Sequence, residues 1–218
     1  MGSSNNTFDR SDTNCIKISY NCGKEFSQYN AFGNIVYYFK YRINPFKGQT
    51  LIVYDMYDKE IGYIERVVNC VQVRYNFYDE NKRLKNSIEI NKQCCTTTFI
   101  YYKEDKSIES TITRKSDCCE ITFDEYDKYN SRTNGAIGRK ECFGDVITFI
   151  ENDSNGNPIS IIRCFSECCS RKIKFYDNNN MELNLNEKSI INDGFTKIQQ
   201  IIIITFLFAE KNNDQKSK

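Results

Sequence analysis

A mainly β chain, with about twelve antiparallel strands closed into a barrel around one C-terminal apolar helix, is the fold this 218-residue sequence predicts. Three observations predict it. Short β-branched and aromatic runs alternate with polar residues, and the runs return in pairs at a nearly fixed period. One unbroken apolar run, Ile201 to Ala209 with a single Thr, then follows.

Alternation is clearest in VQVRYNF, where Val71, Val73, Tyr75 and Phe77 fall on one face and Gln72, Arg74 and Asn76 on the other. A period of two describes a strand with one buried and one wet face. A first strand is read at NIVYYFKY. Hairpins follow at LIVYDMYDKEIGYIER, VQVRYNFYDENKRLKNSIEI, TTFIYYKEDKSIESTITR, ITFDEYDKYNSRTNGAIGRK, VITFIENDSNGNPISIIR and IKFYDNNNMELNL. Their first strands begin near Leu51, Val71, Thr97, Ile121, Val146 and Ile173, so a unit repeats at intervals of 20 to 27 residues. Asn155-Gly156 offers the positive φ of a tight hairpin. Proline occurs only at Pro45 and Pro158, both read as loop. Such a strand set makes a closed barrel or a sandwich, and closure leaves no exposed edge.

The apolar run is too short to cross a bilayer comfortably. From Phe195 it extends over about fifteen residues, interrupted by Lys197, Gln199 and Gln200, whereas a hydrocarbon core needs roughly 20. Asn192-Asp193-Gly194 is read as the N-cap of a helix over about 194–209. A β-strand is the alternative reading of four consecutive isoleucines. A helix apolar on nearly every side must be surrounded, and a wide barrel can surround it. The expected layout is a disordered polar tail over 1–14, one domain over 15–209 and a polar tail over 210–218.

Composition removes several function classes. The chain has neither His nor Trp, so a Ser-His-Asp triad and His-ligated zinc are impossible within it, and no enzyme is expected. A net charge of +1, with both signs interspersed, gives no electrostatic reason to expect nucleic acid. The eleven cysteines include the adjacent pairs Cys94-Cys95, Cys118-Cys119 and Cys168-Cys169, with no C-x-x-C spacing for a thiolate zinc site. The N-terminal MGSSNNTFDRSDTN has no apolar signal core, so reduced thiols are expected. The pairs are read either as buried or loop thiols or as S-acylation sites beside a membrane. Gly2 is a further candidate acceptor, for myristate, although Asn6 stands where Ser or Thr is favoured.

CFGDV (Cys142 to Val146) opens a hairpin, FYDNNNMELNL (Phe175 to Leu185) holds an Asp- and Asn-rich loop, and IIIITFLFAE follows, ending at Glu210. In these elements and their spacing the last third of the sequence resembles the phospholipid scramblase family, which has a Cys-x-Gly-Asp-Val hairpin, an Asp-rich loop before its last strand and a terminal apolar helix. The likeness is specific over about 70 residues and is a hairpin pattern upstream. The N-terminus is short and Ser/Asn-rich rather than Pro-rich, and Trp is absent.

The resemblance implies a tubby-like fold, a twelve-strand barrel around a C-terminal helix. It also implies Ca²⁺-responsive, ATP-independent movement of phospholipids between leaflets, at the cytoplasmic face of a membrane such as the plasma membrane. No small-molecule substrate other than lipid is expected. In the Asp-rich loop, Asp177 and Asn179 would ligate Ca²⁺, and Glu182 and Glu187 would substitute for ligands missing at Met181 and Lys188; a plain polar turn is the alternative. Cys94 and Cys95, the closest counterpart of the family's cysteine cluster, and Cys168 and Cys169 would accept acyl chains. Two rivals stand beside the scramblase reading: a non-transporting lipid- or phosphoinositide-binding tether of this fold, whose anionic headgroups the basic surface residues Arg163, Arg171, Lys172 and Lys174 near Cys168-Cys169 would suit, and a soluble β-rich adaptor with no lipid role.

Overall fold

A computed structural model describes residues 12–19, 25–44, 48–69, 72–94, 96–117, 119–140, 146–166, 170–186, 188–191 and 194–208. Two short strands, β1 (Cys15–Ser19) and β2 (Glu25–Tyr29), precede β3 (Ile35–Asn44). Then come β4 (Gly48–Asp55), β5 (Glu60–Val68), β6 (Val73–Asp79), β7 (Leu84–Lys92), β8 (Thr96–Lys103) and β9 (Ile108–Ser116). The sheet finishes with β10 (Glu120–Asp127), β11 (Arg132–Lys140), β12 (Val146–Asn152), β13 (Pro158–Ser166) and β14 (Ser170–Asp177), and α1 (Lys197–Phe208) follows.

Each strand pairs antiparallel with its neighbours in the chain. β1 also pairs with β14, Ile16 opposite Ile173 and Ile18 opposite Arg171, and this seam closes a ring of fourteen strands rather than the expected twelve or so. The strands missed in the sequence are β1 and β2. Each is only five residues long, and β2 buries Phe26 beside a polar Gln28, so neither has a run long enough for a period of two to stand out. Conversely, the second half of the IKFYDNNNMELNL hairpin is no strand. It makes one bridge, Tyr176 with Glu182, and Leu183 N–H donates to the Phe175 carbonyl at 2.8 Å.

Seven turns at one end of the barrel share one design. The fourth residue of each has positive φ: Gly33, Asp58, Lys82, Lys106, Asn130, Gly156 and Asn180. In six of them the first residue, Asn30, Asp55, Asp79, Asp127, Asp153 or Asp177, accepts the N–H groups of the third and fifth through Oδ1. Six of the adjoining hairpins carry a register shift beside the turn, as a type I turn closed by a left-handed bulge residue requires. Measured from turn to turn, the repeat is therefore tighter than the strand starts suggested.

The core is the barrel interior. Ile18, Phe26, Leu51, Ile64, Phe77, Ile88, Tyr101, Ile112, Phe123, Phe149, Ile162 and Phe175 point inward from strands all round the ring. They meet Ile198, Ile201, Ile202, Ile203, Ile204, Leu207 and Phe208 of α1, so the apolar run is a helix enclosed by strands. At the turn end, Leu185, Ile190, Ile191 and Phe195 fill the interior, with the Phe195 ring 5.0 Å from that of Phe175. The helix begins later than 194. Thr196 and Gln199 cap each other, Gln199 N–H donating to Thr196 Oγ1 at 3.1 Å and Thr196 N–H to Gln199 Oε1 at 3.2 Å, a reciprocal capping box. The Asn192-Asp193 part of the expected cap, the CFGD residues 142–145 and the expected helix end at 209 lie outside the described residues.

Candidate functional site at the open end of the barrel

The helix meets two different polar environments. Its N-terminal end faces carboxylates. Lys197 Nζ lies 3.1 Å from Glu125 and 3.2 Å from Glu109, and Tyr101 OH donates to the Lys197 carbonyl at 2.7 Å. Ser160 Oγ donates to Glu151 Oε2 at 2.7 Å, and Gln199 Nε2 donates to the same oxygen at 3.2 Å. Glu151 is 0% exposed. Burial, which these hydrogen bonds oppose and the nearby Glu125 charge reinforces, raises its pKa. Negative groups at this end complement the positive pole of the helix dipole.

The C-terminal end faces cations. Tyr41 OH donates to the Leu207 carbonyl at 2.9 Å, and Phe208 packs between the rings of Tyr41 and Tyr75. Beside it, at the end away from the turns, a cavity of about 300 Å³ separates the helix from β9, β10, β12, β13 and β14. Phe123, Ile147, Phe149 and Cys164 form its wall, Ile202 and Phe206 its helical side, and Arg114 and Arg171 also line it. A second space of about 120 Å³ lies across Arg114 and Thr205, between Arg66, Tyr75, Phe99 and Phe208. Burial alone lowers the Arg114 pKa. Arg66 hydrogen-bonds Tyr75, and its Nε is buried without a partner among the described residues.

The Phe149 ring in the cavity wall owes its position to β11. β11 presents Ala136 and Gly138 to the interior between two phenylalanine-bearing strands. A Cβ at Gly138 would fall 2.2 Å from the Phe149 ring, so only glycine lets that ring lie across β11. The Phe149 ring takes the place of a larger β11 side chain and forms part of the cavity wall.

The residues singled out in the sequence are scattered. Arg171 lines the cavity. Arg163 lies on the outer face, over the Tyr176 ring at 4.7 Å, and donates to Asn180. Lys172, 5% exposed, pairs with Asp12 at 2.8 Å; Lys174, 0% exposed, pairs with Glu182 at 2.7 Å. Asp177 accepts the N–H groups of Asn179 and Met181, as its counterparts do in the other turns, and Asn179 is exposed. Glu182 also accepts from Asn14. Among the described residues, no group of three or more Cys, Asp or Glu is placed to hold a metal ion. Cys94 is exposed, whereas Gly2, Cys95, Cys168, Cys169 and Glu187 lie outside the described residues.

Arg66 and Arg114 went unread in the sequence. Each stands two residues after a core isoleucine, in Ile64-Glu65-Arg66 and Ile112-Thr113-Arg114, so a period of two points both inward. That was the available signal.

By architecture, the protein is a closed up-and-down β-barrel threaded by a helix. No protein-family model matches the chain, and no curated protein matches it.

Proposed function

We propose that the protein is a divergent relative of the phospholipid scramblases, with a tubby-like barrel, and that it handles phospholipid at the cytoplasmic surface of a membrane. One observation carries this reading. The family resemblance expects the C-terminal apolar run to form a helix inside the barrel, and Ile201, Ile202, Ile203 and Ile204 lie there, each at most 4% exposed. Tyr41 and Tyr101 hold both ends of that helix by their hydroxyls, which favours a structural member over a membrane anchor. No described helix is long and apolar enough to cross a bilayer. Attachment would then fall to covalent lipid at Cys94 and Cys95, since two acyl chains hold a protein stably and one only marginally.

Two measurements test the proposal. Full-length protein from a eukaryotic expression host should co-sediment with phosphatidylserine-containing vesicles, and a Cys94→Ser, Cys95→Ser double variant should do so much less. Reconstituted protein should accelerate loss of inner-leaflet fluorescent phospholipid to dithionite, more so with millimolar Ca²⁺. Binding without acceleration would support the tethering module. Absence of both would leave the adaptor reading.

A further inference from the structure

We propose that the cavity beside the C-terminal half of α1 is a binding site for a single-chain anionic amphiphile, an acyl chain carrying a carboxylate or phosphate head. The chain lies between the Phe123 and Phe149 rings and the Ile202–Phe206 face of the helix, and its head meets Arg114. The inference deepens the lipid reading above. Its test uses no membrane, so either can fail while the other stands.

Charge selects the head. Around the two spaces, which share Arg114 and Thr205, the described lining residues include Arg66, Lys92, Arg114 and Arg171, and no carboxylate. Arg114 is common to both spaces and has no acidic partner among the described residues. Arg114 is half-buried, so its guanidinium has lost part of its water, and a carboxylate or phosphate matches its fork of donors in pairs. A neutral ligand would leave it unmatched. The C-terminal pole of the helix, with Thr205 exposed between the spaces, would itself repel an anion. That places the head toward the barrel wall, where the arginines are, rather than on the helix axis.

Shape selects the tail. The wall is aromatic and aliphatic, and Ile202 and Phe206, four residues apart, occupy one face of the helix. About 300 Å³ is at the lower end of ligand-site volumes, which suits one chain and not a diacyl lipid. Free phosphate or acetate would leave this apolar surface uncovered.

The experiment is calorimetric titration of the full chain, in detergent-free buffer, with ligands below their critical micelle concentrations. Dodecanoate and dodecyl phosphate are compared with octanoate, dodecanol, acetate and inorganic phosphate. At least one twelve-carbon anion should bind saturably, and the tighter of the two identifies the head. Shortening the tail should weaken binding by up to about fourfold per methylene. Dodecanol should bind at least tenfold more weakly than the better anion, and acetate and phosphate not measurably. Arg114→Met should weaken the anion at least tenfold without affecting dodecanol, whereas Arg114→Lys should retain part of the affinity. Thr205→Trp, which puts an indole into both spaces from an exposed position, should abolish binding. Variants are compared only when their far-UV circular dichroism and melting match wild type. Should Arg114→Met fail to fold, the wild-type contrast between the better twelve-carbon anion and dodecanol still decides. Equal binding of dodecanol, binding of acetate or phosphate as tight as that of the long-chain anions, or absence of saturable binding would overturn the proposal.

Discussion

Glu151 reaches from β12 to the first turn of the helix and gives up all contact with water there. Its raised pKa means that the folded chain keeps this proton to a higher pH than the unfolded chain does. Between the ordinary glutamate value and the raised one, the native state binds more protons, so stability falls as pH rises through that window. The contribution is complete below the ordinary value and lost above the raised one. Glu151→Gln keeps acceptor and shape without the charge. Urea titrations at several pH values should show the variant gaining on wild type as pH rises from about 4 to 8. A difference that is flat across that range would count against a buried, proton-retaining Glu151. Thiols offer a second contrast. Burial pushes both Cys15, fully enclosed, and Cys164, half-buried in the cavity wall, up to about 12, while Cys94 and Cys119 are exposed. Iodoacetamide at pH 8, read by peptide mass mapping, should modify Cys94 and Cys119 and spare Cys15 and Cys164 until the protein is denatured, because the thiolate is the reactive form.

Turns are the element on which this sequence is most regular. Asp79 takes two N–H groups in its turn, from Asn81 and Arg83. Removing it by Asp79→Ala should cost about 1 kcal/mol in chemical denaturation, the net worth of exposed hydrogen bonds of this kind. Lys82 and Lys106 hold φ near +60°, where a side chain without asparagine's local hydrogen bonding is strained. Lys82→Asn and Lys106→Asn should therefore each stabilise by up to about 1 kcal/mol. The five hairpins from Leu51 to Arg163 were legible because their strands alternate over seven to nine residues between obvious turns. β1 and β2 were not, since five-residue strands become strands only when both neighbours supply their hydrogen bonds. Asn192-Asp193-Gly194 drew attention as a cap, yet Thr196 and Gln199 carry the reciprocal spacing and make it. The cationic mouth was half legible. Period two turns Arg66 and Arg114 inward, but only the closed ring brings residues 48 positions apart around the same space.

At the scale of the whole molecule, stability rests on closure. An interior filled from every strand by one helix cannot form on an open sheet, and an open ring would expose two unpaired edges. Deleting residues 1–29 removes β1 and β2 and frees β14 and β3 together. Size-exclusion chromatography should find that truncated chain in large aggregates; a monomer with wild-type circular dichroism would show that closure is dispensable. The β1–β14 seam also sets a timetable. Ile16 pairs with Ile173, and the helix that fills the ring lies later still. At ~5–20 residues per second of synthesis, β1 waits on the order of ten seconds or more on the ribosome before its partner exists. Through that interval a growing sheet with one bare side and no filling is all the cell has. Chaperones that shield strand edges should therefore govern how much of this protein matures.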